Sequence, residues 1–371
     1  MTSPARQWLI AALTHQPLPL LTEHFGELSV TLVEVVETAE SEDVLCLLEH
    51  RLVSHPNRSD VPDVLIQAIQ SAAKETVLMQ LLYQAEQVKV FAALEQAGIE
   101  YIVMKGSALG RWLYESPSYR PISDIDLWLP NKAVVFALES VLGALGYVSQ
   151  PTLGHLTTHE HAYDKDLHGL LIRIDAHWSM FNSAVLTNSP RFDEAYGRAL
   201  ALSSTSAMGR MLCMDDALIN SIGHRALKYL SNNGYSLKWL FDLHLMFKRL
   251  DAAQWQNLLT GSSRFGISDL SVDALQVCSA QLGTPIPADI IATLQAQARH
   301  EPLSRRWFQS WWRYQRHEFL ASAPDWSTRI KYIWQKLWPN PDAVRERYGK
   351  YDPAWKLMLK RLGQGIKRLF S

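Results

Sequence analysis

The chain is poor in cysteine, carries almost no net charge and has no long apolar run, and each shortage removes a class of protein. Cys46, Cys213 and Cys278 lie far apart and form no metal or redox motif, which fits a reducing cytoplasm. No apolar run approaches the roughly 18 residues that a spanning helix needs, so no transmembrane segment is expected. The opening MTSPARQWLIAALTHQPLPLL lacks a long apolar stretch followed by a small-residue cleavage site and does not read as a signal peptide. The net charge of -1 names no polyanionic partner for the chain as a whole. Internal repeats and low-complexity linkers are also lacking. What is present is ordinary soluble material, 47% hydrophobic and 20% charged, and 371 residues suffice for two or three domains.

The pattern divides the chain into an N-terminal helical region (1–97), an α/β core (98–200), a second helical region (201–300) and a tail (301–371). After the Asn57–Pro62 loop, Ile66, Ile69, Ala73, Val77, Leu81, Ala85, Val88 and Ala92 recur at helical spacing, and Gly98 stops that helix. The pattern then switches. IEYIVM reads as a strand, KGS as a turn, SALGRWLYES as a helix and DIDLWL as a second strand. Asn131 can cap a helix from Lys132 to Leu145, and runs around His159–Asp164 and Leu170–Trp178 suggest a hairpin. From residue 211 the sequence is helical again, with Leu218, Ile222, Leu227, Leu237, Leu240, Leu243 and Met246 as core. The expected fold class is α+β, a small mixed sheet flanked by N-terminal and C-terminal helical regions.

Within SYRPISDIDLWLP, Asp124 and Asp126 sit two apart in an apolar run. Strand periodicity points both carboxylates the same way, and like charges so placed repel. A divalent cation between them and a phosphate-bearing substrate reverses that sign. LLIRIDAHW supplies a third carboxylate, Asp175, from another apolar strand. Gly106 and Ser107, between a strand and a helix N-terminus, offer backbone N–H groups and a hydroxyl to phosphate.

These segments resemble a known superfamily. MKGSALGRWLYESPSYRPISDIDLWL is similar to the signature of the polymerase-beta-type nucleotidyltransferases, in which a Gly-Ser pair opens a helix and Asp-x-Asp follows on the next strand. More narrowly, MKG, Arg120, DIDLW, IDAHW, GHRALKY, LKWLFDLHLMF and LWPNPDAVRERYG resemble a largely uncharacterised bacterial nucleotidyltransferase family. The resemblance implies NMP transfer, most simply AMP, from an NTP to a hydroxyl-bearing acceptor, with pyrophosphate leaving. It implies two Mg²⁺ ions (Mn²⁺ as the substitute) on Asp124 and Asp126, with Asp175 completing one site and receiving the acceptor's proton. Gly106 and Ser107 would hold the β- and γ-phosphates. Sixteen residues separate Ser107 from Asp124, more than in the compact superfamily pattern, which leaves the Glu115–Ser123 loop without a counterpart in minimal members.

Other residues carry paired readings. Lys105 is placed to meet phosphate or to be solvated at a strand end. Arg120 either clamps a phosphate or pairs with Glu115. His177 shares a strand face with Asp175 and is read chiefly as a packing histidine. His224, Lys228 and Asp242 either face the acceptor or bond between helices. His155, His159 and His161 tempt toward zinc but lack a well-spaced fourth ligand, so a polar hairpin is expected. The acceptor reading favours a small molecule over a protein side chain or an RNA 3′ end, and a non-catalytic binding protein is the reading of a different class.

The tail is distinctive: residues 301–371 hold 15 Lys/Arg against 6 Asp/Glu, while residues 1–300 hold 21 against 31. Seven of the thirteen tryptophans fall there. Trp307 to Trp338 are expected to pack back on the protein. The final basic helix, with Trp355, Leu359, Leu362, Ile366 and Leu369 on one face, is a candidate for anionic membrane or polyanion contact. A cytoplasmic protein, peripheral to the membrane if that contact exists, is expected.

Overall fold

A computed structural model of the chain describes residues 3–18, 31–151, 158–229, 236–323 and 325–337, with Asn340 and Lys356. Its elements run α1 (Pro4–Thr14), α2 (Leu32–Ser41), α3 (Leu45–Val53), α4 (Asp63–Gln96), β1 (Tyr101–Val103), α5 (Lys105–Trp112), β2 (Ile125–Trp128), α6 (Lys132–Gly143), β3 (Val148–Ser149), β4 (Glu160–Leu167) and β5 (Leu170–His177). Then follow α7 (Phe192–Arg198), β6 (Leu200–Ala201), β7 (Gly209–Met211), α8 (Met214–Lys228), α9 (Leu237–Phe247), α10 (Ala252–Phe265), α11 (Ser268–Leu282) and α12 (Ala288–Ala298). The tail contributes α13 (Arg305–Phe308), α14 (Trp311–Ser322) and α15 (Trp326–Leu337). His155 and the final basic helix lie outside the described residues.

The strands form one mixed sheet in the order β3-β4-β5-β2-β1-β7-β6. β2 pairs in parallel with β5 and antiparallel with β1, so β2 is central and all four of its residues are buried. Helices flank the sheet, as an α+β chain requires. Leu127, Ile172 and Ile174 of the sheet meet Leu138 and Leu142 of α6 and Val90 and Leu94 of α4 in one apolar cluster. A second cluster joins Trp8 and Leu9 of α1 and Leu48 of α3 to Leu240 of α9 and Leu275 of α11. The first helices and the post-sheet helices therefore share a core.

Helix α4 departs from the apolar face expected of it. Ile66, Ile69 and Ala73 are buried, but Leu81 and Val88 are exposed, and Gln80, Tyr83, Glu86 and Gln87 turn inward instead. Those polar groups have fixed tasks. Gln80 Nε2 donates to the Ile122 carbonyl and Oε1 accepts the Ile122 N–H, both at 2.9 Å. Tyr83 donates to the Ser123 carbonyl at 2.8 Å, and Glu86 pairs with Lys165 at 2.7 Å. Burial of these groups is tolerated because each is satisfied.

The long loop before β2 is tied on its other side. Arg120, fully enclosed, directs Nε and Nη2 at both oxygens of Asp242 on α9 at 2.7–2.9 Å, and Tyr114 donates to the same carboxylate at 2.7 Å. Arg120 thus pairs with Asp242; Glu115 instead faces His50 at 3.1 Å. In the tail, Trp307 packs partly buried on the core. Trp312, Trp326 and Trp334 are exposed, against the expectation that this stretch packs back.

Removing one partner of a buried ion pair strands the other charge. Asp242→Ala should therefore lower stability by about 3–5 kcal/mol in chemical denaturation, whereas a loss under about 1 kcal/mol would show that water reaches Arg120. A pH dependence follows from His244, which is buried and bonded to Thr284. Burial, then Lys248 and Arg51, lower its pKa to about 4. An unfolded imidazole binds a proton near 6.5, so stability is complete above that pH and is lost as pH falls toward 4, by up to about 3 kcal/mol. His244→Gln should flatten that slope in denaturant midpoints read at neutral and acid pH; an unchanged slope would contradict the assignment.

Candidate active site

The parallel register between β2 and β5 sets Asp126 directly beside Asp175. Asp124 lies one residue before β2, where Gln80 and Tyr83 pin the preceding backbone. Ligand oxygens of Asp124, Asp126 and Asp175 all come within 4.8 Å of one another. Such proximity is unfavourable for three anions in a partly dry site, and neighbouring groups offset only part of it. Lys105 Nζ lies 2.5 Å from Asp126 Oδ1, and His177 Nε2 lies 3.0 Å from the same oxygen.

The three carboxyls differ in consequence. Burial works to raise the pKa of Asp126, but Lys105 and the His177 hydrogen bond outweigh it and hold the group well below the usual carboxylate range. Asp124 is raised by burial and by Asp126. Asp175 has no such cation, and burial with Glu160 and Asp126 pushes it up to about 7. Lys105 responds in kind: Asp126 and Asp124 overcome its burial and keep it an ammonium. Lys105 also adopts a left-handed backbone (φ 49°) at the start of α5, a strained conformation for a residue with a Cβ.

These groups line a cavity of about 370 Å³. Its floor is the sheet, and its opposite wall is helical: His224 and Lys228 from α8, and Lys238 and Trp239 from α9. Lys228 and Lys238 lie 5.9 Å and 5.0 Å from the Trp239 ring centre, with Arg120 at 4.9 Å. Lys238 pairs with Asp43, which ties this wall to the N-terminal helices. His224 is driven well below the usual imidazole range by burial, Lys105 and Lys228. Tyr314 of the tail helix α14 closes one side.

The sequence candidates are distributed unevenly. Asp124, Asp126, Asp175, Lys105, Gly106, Arg120, His177, His224 and Lys228 all border the cavity. Gly106 approaches the loop so closely that a Cβ would stand 2.7 Å from Ile122 Cγ2. Ser107 does not border it: its Oγ accepts a hydrogen bond from Gln87 at 3.2 Å. Asp242 is set back, occupied by Arg120 and Tyr114. His161 bonds Ser149 at 2.8 Å, and His159 faces Trp178. Sequence reasoning missed Glu160, 3.4 Å from His177 Nδ1, and Lys238, Trp239 and Tyr314. The first three lay in segments already singled out; nothing in the sequence ties Tyr314 to a sheet so far away in the chain.

A model of the family described as uncharacterised nucleotidyltransferase matches residues 30–283. The match spans well over half of the chain, which therefore belongs to that family and is an enzyme of the nucleotidyltransferase type, with an NTP as substrate. No curated protein and no solved structure matches the chain. The tail helices α13–α15 lie beyond the matched region.

Relief of charge repulsion gives a test that needs no substrate. At pH 8, Asp124→Asn should raise metal-free stability by about 1–2 kcal/mol while weakening Mn²⁺ binding, read by electron paramagnetic resonance, at least about tenfold. A variant less stable than the parent would mean that the carboxylates are not in conflict.

Proposed function

We propose that this enzyme transfers a nucleoside monophosphate, most simply AMP, from an NTP to a hydroxyl of a small molecule, releasing pyrophosphate. The observation that carries the reading is the opposition of charge across one cavity, with three carboxylates on the sheet and two lysines on the helical wall. An NTP spanning that gap answers both sides, since its phosphates meet Lys228 and Lys238 while its reacting end lies over the carboxylates.

The donor set suits a hard divalent cation, being three carboxylates within reach of one another and no sulfur or imidazole among them. Asp124 and Asp126 would hold Mg²⁺ or Mn²⁺, with Asp175 completing one of two sites. Bound there, such an ion neutralises phosphate charge and acidifies an acceptor hydroxyl.

The chain's own residues do the rest. Lys105 keeps Asp126 ionised and fixes its orientation. The first turn of α5 lacks a side-chain cap, which leaves its positive end to meet phosphate, while Gly106 lets the Ile122 loop pack close beside it. Asp175, on the far side of Asp126 from β1, is the group assigned to take the acceptor's proton. His224, neutral and facing the cavity, offers a hydrogen bond without charge. Tyr314 restricts the open side, which favours an acceptor of small size over a polymer end or a protein surface. Arg120, spent on Asp242, positions the loop that carries Asp124.

Thermal stabilisation by ATP, CTP, GTP and UTP, each with Mg²⁺ or EDTA, tests the site directly. One nucleotide should stabilise the protein by about 2.7 kcal/mol at a hundredfold excess over Kd, only with Mg²⁺, and Asp126→Asn should abolish the shift. Absence of any nucleotide response in the parent protein would overturn the reading.

A further inference from the structure

The tail beyond the family match is anchored at one end and turned outward at the other. Glu318 of α14 is buried and accepts hydrogen bonds from Ala184 N–H at 2.8 Å, Ser183 Oγ at 3.0 Å and Val185 N–H at 3.2 Å. Tyr314 adds a bond to Ser183 at 3.1 Å. These contacts seat α14 on the segment that follows β5. Helix α15 then meets α14 through Tyr332, which is buried and edge-on to Phe319 at 5.0 Å.

The other apolar residues of α15 whose side chains are described point the other way. Trp326 is 76% exposed, Ile330 66%, Ile333 49% and Trp334 65%. Their spacings of four, three and one place them on a single stripe of the helix. A helix packed on a globular protein buries such a stripe; this one presents it to solvent. Helix α15 carries Arg329, Lys331 and Lys336 and no acidic residue, and the helical repeat sets Arg329 on one flank of the stripe and Lys331 on the other. The tail as a whole holds 15 basic against 6 acidic residues, while the rest of the chain is acidic.

We propose that the outward face of α15 docks this protein on an anionic lipid surface. Trp326, Ile330, Ile333 and Trp334 enter the boundary between headgroups and acyl chains, where tryptophan is favoured. Arg329 and Lys331 meet lipid phosphates on either side. Charge decides between occupants. A second copy of the chain would bring a second positive tail against the first, whereas an anionic headgroup layer neutralises it. No helix among the described residues is long and apolar enough to cross a membrane, so the contact lies in the plane of the surface. The sequence suggested such a contact for the final helix, which lies outside the described residues; this proposal rests on α15, and the bound protein then holds α14, with Tyr314 at the cavity, next to the lipid.

The test is co-sedimentation of the full chain with extruded vesicles of phosphatidylcholine, with or without about a third phosphatidylglycerol, alongside the double variant Trp326→Ser/Ile330→Ser. The parent should pellet with the anionic vesicles only, with blue-shifted tryptophan emission, and the variant's partition should fall about tenfold or more at unchanged circular dichroism. Failure of the parent to pellet with anionic vesicles would overturn the proposal. Equal pelleting of parent and variant would do so too, by placing the contact elsewhere. Concentration-dependent dimerisation in light scattering, abolished in the variant and without vesicle binding, would reassign the face to a second copy.

Discussion

Three carboxylates held within 4.8 Å of one another repel, and much of this molecule consists of the means by which they are kept there. The parallel register of β2 and β5 fixes two of them side by side. Helix α4 fixes the third by clamping the backbone of Ile122 and Ser123. That clamp explains why a long helix buries glutamines and a tyrosine where its sequence offers leucine and valine for the purpose. Lys105 neutralises part of the charge at Asp126 and His177 hydrogen-bonds to it, but Asp126 still raises the pKa of both Asp124 and Asp175. Conflict of this kind is kept in a folded protein when a ligand resolves it.

The same loop that delivers Asp124 also joins the two halves of the cavity. Arg120 and Tyr114 converge on Asp242 of α9, one turn from Lys238 and Trp239 on the helical wall. The distance between carboxylate floor and cationic wall is therefore set by a buried ion pair rather than by the sheet alone. A buried pair is weak evidence for net stability but good evidence for a fixed geometry, and fixed geometry is what transfer between two bound substrates demands. The lengthened segment between Ser107 and Asp124 has this bridging role.

The strands and carboxylates of the site were legible in the sequence because aspartates stand out in apolar strands. DIDLW and IDAHW sit where the sheet places β2 and β5, and the Asn131 cap and the helix after it are as expected. The α+β class followed from the switch in periodicity. What was not legible depends on tertiary contacts. The inward turn of α4 between Gln80 and Gln87 was hidden because the buried face there is polar, so a search for apolar spacing, right at Ile66, Ile69 and Ala73, chose the wrong side at Leu81 and Val88. Strands β6 and β7 are two and three residues long, too short to show alternation. Ser107 reads as a phosphate ligand until Gln87 is seen to hold its hydroxyl. Arg120 finds its partner 122 positions away, and Tyr314 reaches the cavity only because Glu318 seats its helix. The exposed stripe of α15 inverts the usual rule that a tryptophan-rich helix packs on its own protein.

The central claim is that the carboxylate cluster exists to hold a divalent cation against nucleotide phosphates. Crystals grown with Mn²⁺ and a non-hydrolysable ATP analogue, measured at a wavelength where manganese scatters anomalously, test it most directly. The account predicts an anomalous peak bounded by Asp124, Asp126 and Asp175, in contact with phosphate oxygens that also reach Lys228 or Lys238. Nucleotide bound in the cavity with no manganese at those carboxylates would contradict it, as would manganese there with the phosphates bound elsewhere.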